Sequence, residues 1–263
     1  MSPFVLVDHF EMWQPTFEVH PHAGMSAVTL VFENTEGLMT SRDSLGHEAA
    51  FGAGDLHWTM AGRGILHTQA PANHESRIHA LQIFVNLPAR LKATRPDSFR
   101  LAAAVIPEVR LAGVRVRVVA GEFGGCTSPA QTPEPVLMLD AHLMAPHESL
   151  LVPIPAGWNA WVLVVNGKAS ADGGGSLGAG QALCVSAAIR AGQLSLRTES
   201  SGHIIVLAGP RIDEPVVQHG PFVFESEASL AQALADLRAG HFGQVAAAGE
   251  RTPDLKLQPF QGE

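Results

Sequence analysis

The chain is short of cysteine, of charge and of long apolar runs, and each shortage closes off a class of protein. Its 263 residues include two cysteines, Cys126 and Cys184. Two distant thiols do not make a disulfide framework, so reduced, partly buried cysteines of an intracellular protein are expected. Charged residues are only 16% of the chain, and 17 basic against 25 acidic residues leave a formal charge of −8. No Lys/Arg cluster interrupts that balance, which excludes a direct nucleic-acid footprint and leaves the acidity as a solubility feature. No apolar run approaches the ~18 to 20 residues of a membrane span. The opening segment MSPFVLVDHFEMW carries Asp8 and Glu11 and lacks a basic leader, so no signal peptide is read. The expectation is a cytoplasmic protein that does not touch membranes.

What is present is apolar sequence cut into short pieces. Apolar residues make up 46%, with 26 Gly and 18 Pro. Strand-like runs rich in Val, Ile, Leu and Phe occur at Ala27–Phe32, Arg77–Asn86, Val114–Ala120, Ala160–Val165 and Ile204–Leu207. Val114, Val116 and Val118 alternate with Arg115 and Arg117, the period of a half-buried strand. Turn signals such as Asn166-Gly167 and Gly52-Ala53-Gly54-Asp55 separate the runs, with Asp55 read as a turn aspartate. The glycine run 173–175 lacks phosphate-loop spacing and is read as a hairpin loop. This is the pattern of an all-β sandwich or barrel. One helix stands out: Ser226 caps it, Leu230, Ala233, Leu234 and Leu237 recur at helical spacing, and Gly240 ends it. Val245–Glu263 reads as an extended arm or tail.

An internal echo relates Pro21–Asn34 to Ile154–Gly167 at a shift of about 133 residues. Where the first copy has His20 and His22, this alignment sets Pro153 and Pro155. Only the first copy is equipped for chemistry.

His20-Pro21-His22 puts two imidazoles on one side of an extended segment. His67 and Gln69 have the same spacing, after a turn that Gly62 and Gly64 permit. Two such pairs on two strands of one barrel converge on a point. Imidazoles with an oxygen donor suit a first-row transition metal. His57 and His79 are assigned to core or supporting positions. His47, His74, His142, His147 and His203 have no partner at informative spacing.

The stretches FVLVDHF at Phe4–Phe10, HPHAG at His20–Gly24, RDSLG at Arg42–Gly46, ILHT at Ile65–Thr68 and EPVVQHGPF at Glu214–Phe222 resemble the pirin family of the cupin superfamily. The resemblance implies two cupin-type jelly-roll barrels in tandem with a short C-terminal helix. The expected boundaries are 1–125 for a metal-bearing barrel and 126–263 for a metal-free barrel with helix and tail. It implies one metal ion, usually iron with other divalent metals compatible, held by His20, His22, His67 and Gln69. It offers two functions: a quercetin 2,3-dioxygenase acting on a small aromatic substrate, or a regulatory scaffold acting on a protein partner. The catalytic residue is left unassigned, with Asp8 and His9 either lining the mouth of the site or fastening the first strand. The sequence departs from the family in two places. Gln69 stands where the family has Glu, and Ala23-Gly24-Met25-Ser26 follows the histidines where Arg-Gly-Phe-Glu is usual.

Overall fold

The computed structural model describes residues 2–16, 18–172, 175–186 and 190–246. Tail residues 247–263 and residues 173–174 of the glycine run lie outside them. The chain forms two compact units. One comprises Phe4–Ala103 with the segment from Asp213 onward, and the other Ala104–Ile212 with the first residues of the chain.

The first unit contains β1 (Phe4–Met12), β2 (His20–His22), β3 (Met25–Val31), β4 (Leu38–Asp43), β5 (Glu48–Gly52), β6 (Leu56–Met60), β7 (Ile65–Pro71) and β8 (Ile78–Asn86). A four-residue helix α1 (Ala89–Lys92) and β9 (Asp97–Leu101) follow. The strands form two antiparallel sheets, β1-β8-β3-β6-β9 and β2-β7-β4-β5. Side chains alternate between the faces. On β1, Phe10 and Met12 turn inward to pack with Val31, Met39, Phe51, Ile78 and Ala80. This is a jelly-roll barrel.

The second unit pairs a six-stranded with a four-stranded sheet. Val114, Val116 and Val118 face inward, as their alternation requires, onto Leu139, Ala141, Val162, Val164, Ile204 and Val206. The barrel core is mostly aliphatic, with Phe123 buried in it and Trp158 packed against it. The two cysteines are unpaired; Cys126 is half-buried and Cys184 is exposed rather than partly buried.

The helix falls where the pattern puts it. Helix α2 spans Glu227–Arg238, and Ser226 Oγ accepts from the backbone N–H of Ser229. Gly240 adopts φ +79°, the left-handed conformation of a helix-terminating glycine. Its partner differs from the sequence-derived boundary, which grouped it with the metal-free barrel. Leu230 and Ala233 bury against Phe222, Phe224 and Ala23, so the helix belongs to the unit that carries His20 and His22. Burial of its apolar face, not nearness in sequence, decides that assignment. The division after Ala103 likewise precedes the expected boundary at 125 and puts Val114–Ala120 in the second unit.

The internal echo holds with a one-residue correction. Gly24 and Gly157 both take positive φ, +74° and +77°, before a long strand. However, Pro153 and Pro155 are exposed. The inward residues of the strand Ser149–Ile154 are Leu150 and Val152, with Ile154 packed against the same core. His20 is directly opposite His67, as Val152 is opposite Leu194. The second barrel therefore carries Val152, Ile154 and Leu194 where the first carries His20, His22 and His67.

Candidate metal centre

The pairing of β2 with β7 sets His20 opposite His67 and His22 opposite Ile65. Directly paired residues point to one face, so three imidazoles meet inside the first barrel. Their ligand atoms all lie within 4.8 Å of one another. The Nε2 atoms of His20 and His67 are 3.1 Å apart. His20 Nδ1 lies 2.8 Å from the carbonyl oxygen of Glu18. A carbonyl only accepts, so Nδ1 carries the proton and Nε2 presents a lone pair to the centre.

His22 and His67 are buried, and Nδ1 of each has no hydrogen-bond partner. Burial first, and the neighbouring His20 second, press the His22 pKa down to about 3. Burial and then the His22, His20 and His57 neighbours hold His67 well below the usual imidazole value. Neutral imidazoles are the ligand form. The donor set and its orphaned buried nitrogens fit a transition metal ion.

Gln69 lies two residues beyond His67 on the same inward face of β7, and it is buried. Thr29 Oγ1 donates to Gln69 Oε1 at 2.9 Å. Gln69 Nε2 lies 3.2 Å from His57 Nδ1. An amide nitrogen only donates, so His57 accepts at Nδ1 in its neutral form. Burial lowers the His57 pKa to about 4, which agrees. His57 is stacked on Phe51 with ring centroids 4.8 Å apart. Thr29 also reaches Gln82 Oε1 at 3.1 Å, so one hydroxyl joins the two glutamines. The carbonyl of Gln69 retains a second lone pair.

The other assigned residues separate clearly. Asp55 is the expected turn aspartate, accepting from the backbone N–H of Gly52 and Ala103 and from Arg100. Asp8 and His9, taken together in the sequence, point opposite ways. His9 faces outward to His79, with Nε2 atoms 2.6 Å apart, and His79 meets Asn34 at 2.8 Å.

One cluster escaped the sequence reading. In the second unit, His142 is directly opposite His203, and Asp140 is opposite Arg117. Asp140 Oδ1 lies 2.7 Å from His203 Nε2 and 3.3 Å from His142 Nε2, and Arg117 Nη1 donates to Oδ2 at 2.8 Å. Burial alone would raise the Asp140 pKa; hydrogen bonds from His142 and His203 and the charge of His203 and Arg117 hold it well below the carboxylate range. These residues share the sheet face opposite the aliphatic core. Their signal was the alternation that sets Arg115 and Arg117 in VRVRVV, and Asp140 and His142 in LMLDAHL, at i, i+2 spacing. Arg117 already balances Asp140, so a cation there would compete with a built-in positive charge.

Residues 1–85 match the family described as Pirin, and residues 138–243 match the Pirin C-terminal cupin domain. Pirin of Mus musculus is 35% identical over 252 residues, covering 90% of this chain and 82% of its own. The chain belongs to the pirin family. Pirin-like protein 2 of Arabidopsis thaliana is 33% identical over 253 residues, covering 92% of this chain and 76% of its own. Among solved structures, quercetin 2,3-dioxygenase from Acinetobacter baumannii superposes with a TM-score of 0.82 at 29% identity, covering 92% of this chain and 86% of that one. The pirin assignment accounts for both cupin barrels. Among the described residues, no helix is long and apolar enough to cross a membrane.

Proposed function

We propose that this pirin is a metal-dependent dioxygenase acting on flavonol-like aromatic enols, with one transition ion, iron first among the choices, held by His20, His22, His67 and Gln69. The observation that carries the proposal is the convergence of three histidine ligand atoms within 4.8 Å inside the barrel. The similarity to quercetin 2,3-dioxygenase from Acinetobacter baumannii supports the substrate class. A bound first-row ion supplies Lewis acidity and, as iron, the means to activate dioxygen. The chain's own residues do the rest. The Glu18 carbonyl fixes the tautomer of His20. Thr29 and His57 grip both ends of the Gln69 amide and hold its side chain in one orientation. Phe84 packs edge-on against His22 with ring centroids 5.2 Å apart, an apolar wall suited to a planar ring.

The neutrality of Gln69 favours a second reading: a scaffold with a weak or vacant metal site that regulates a protein partner without turnover. A Gln oxygen has no charge to offset the metal's and cannot take a proton from substrate. Metal analysis of the purified and reconstituted protein, with oxygen uptake on quercetin, separates the two. Stoichiometric metal with quercetin-dependent uptake supports the enzyme. Metal without uptake supports the scaffold, and failure to retain any transition metal overturns the enzyme and leaves the scaffold with a vacant site.

A further inference from the structure

Two carboxylates share the inner face with the imidazole group, Asp43 opposite His67 and Asp8 on β1, and only Asp8 is exposed. Asp8 is directly opposite Gln82 in the β1–β8 pairing. Gln82 is directly opposite Thr29 in the β3–β8 pairing, and Thr29 is directly opposite His57 in the β3–β6 pairing. Thr29 reaches across to Gln69 of the facing sheet. Hence the row Asp8, Gln82, Thr29, His57 lies on the inner face. Phe10, two residues on from Asp8, packs into the interior and fixes the same orientation.

The topology puts the Asp8 end of this row on an edge strand. β2 faces β8 through the His22–Phe84 ring contact, and β7 faces β3 through Gln69 and Thr29. β1 and β2 are edge strands of their sheets. Leu6 stands opposite Phe84 and Asp8 opposite Gln82, so Asp8 borders the approach to the imidazoles. Its side chain is exposed, so a proton on it exchanges with water. Asp43 also faces inward, but its carboxylate is saturated by Leu45 N–H, His47 N–H, His47 Nδ1 and Ser98 Oγ.

We infer that Asp8 is the proton acceptor of the site, taking the hydroxyl proton of a bound aromatic enol. This rests on the dioxygenase reading above. The substrate O–H bond breaks, its electron pair stays on the substrate oxygen, and the proton forms an O–H bond on the Asp8 carboxylate. Nothing is oxidised or reduced in this step, and one negative charge passes from Asp8 to the substrate. The neutral carboxylic acid then releases the proton to water.

The test uses metal-loaded full-length protein with quercetin under anaerobic conditions. The long-wavelength absorbance band of ionised flavonol is followed against pH for wild type, Asp8→Asn, Asp8→Glu and His9→Ala. Wild type is expected to bind quercetin in ionised form near neutral pH. Asp8→Asn should retain metal and bind quercetin, require a higher pH for ionisation, and lose about 100-fold in kcat for oxygen uptake, the scale of a general base. Asp8→Glu should restore part of both, and His9→Ala, whose side chain faces outward, should match wild type. An Asp8→Asn protein with wild-type ionisation and kcat overturns the inference and leaves the dioxygenase reading standing. Loss of metal from Asp8→Asn also overturns it, by making Asp8 a ligand. Wild-type protein that holds metal but does not bind quercetin overturns the substrate reading and the role of Asp8 with it.

Discussion

His20 and His67 stand directly opposite each other on neighbouring antiparallel strands, with Nε2 atoms 3.1 Å apart. No sequence motif contains both. The pairing register of β2 with β7 makes them neighbours, and a one-residue slip would turn one set of side chains out of the barrel. The candidate metal centre is thus a property of strand register, and the inward row of β7 continues from it to Gln69.

Gln69→Glu is expected to tighten metal binding. The new carboxylate keeps an oxygen for the Thr29 hydroxyl, and His57 can switch tautomer to donate from Nδ1 to it. With metal present the charge is compensated; without metal it is buried beside neutral imidazoles. Affinity for added Fe(II) or Ni(II), measured by calorimetry, should rise about 10- to 100-fold. The thermal midpoint should fall for metal-free protein and rise for loaded protein. Equal affinity in the two proteins would refute the assignment of Gln69 as a ligand.

Thr29→Val keeps the shape of a buried side chain and deletes the hydroxyl that joins Gln69 to Gln82. Leaving buried polar atoms without their partner costs about 1–3 kcal/mol. Chemical denaturation should show a loss of that size, and metal affinity should drop as Gln69 loses its fixed orientation. Thr29→Ser should recover both. A fully stable Thr29→Val protein would show that water replaces the hydroxyl.

Much of this was legible in the sequence for identifiable reasons. Val114–Val118 alternates because one face meets an aliphatic core, and the capped helix at Glu227–Arg238 carries its own start and stop signals. The pairs His20/His22 and His67/Gln69 were legible because i, i+2 spacing on a strand selects one face. Partnerships set by register across strands were not. His142 and His203 are far apart in sequence and adjacent only because their strands pair. The one-residue offset between the proline alignment and the true counterparts Val152 and Ile154 arose because a matched Ala-Gly turn does not fix the parity of the strand before it. The helix was found correctly and joined to the wrong unit, since a helix pattern does not name the surface that receives it.

Asp140→Asn tests whether the second cluster is an ion network or a metal site. The substitution removes the counter-charge of buried Arg117, which costs about 3–5 kcal/mol. The double variant Arg117→Met with Asp140→Leu should be markedly more stable than Asp140→Asn alone, because it removes the charge with its partner. Metal content of both variants should equal that of wild type. A loss of metal on Asp140→Asn would instead make this cluster a second centre.

His47 and Asp43 predict a pH dependence with a definite sign. His47 Nδ1 lies 3.0 Å from Asp43 Oδ2. The hydrogen bond to Asp43, opposed by burial, raises the His47 pKa above its ordinary 6.5. Burial pushes the Asp43 carboxyl up, but the hydrogen bond and charge of His47 and the Ser98 hydroxyl bring it below its ordinary 3.8. A raised imidazole contributes stability that is fully present below 6.5 and lost as pH rises through its folded value. A depressed carboxyl contributes stability that is present above 3.8 and lost as pH falls through its folded value. The pair is therefore fully engaged between about pH 4 and 6.5. The buried histidines His22, His57 and His67 act in the opposite sense, favouring the folded state as they lose their protons, so the comparison must be made against a variant. The stability difference between wild type and His47→Gln, from urea denaturation, should be largest near pH 6 and shrink steadily toward pH 9. A difference that stays flat across that range would mean that His47 is held by the Asp43 turn without carrying charge.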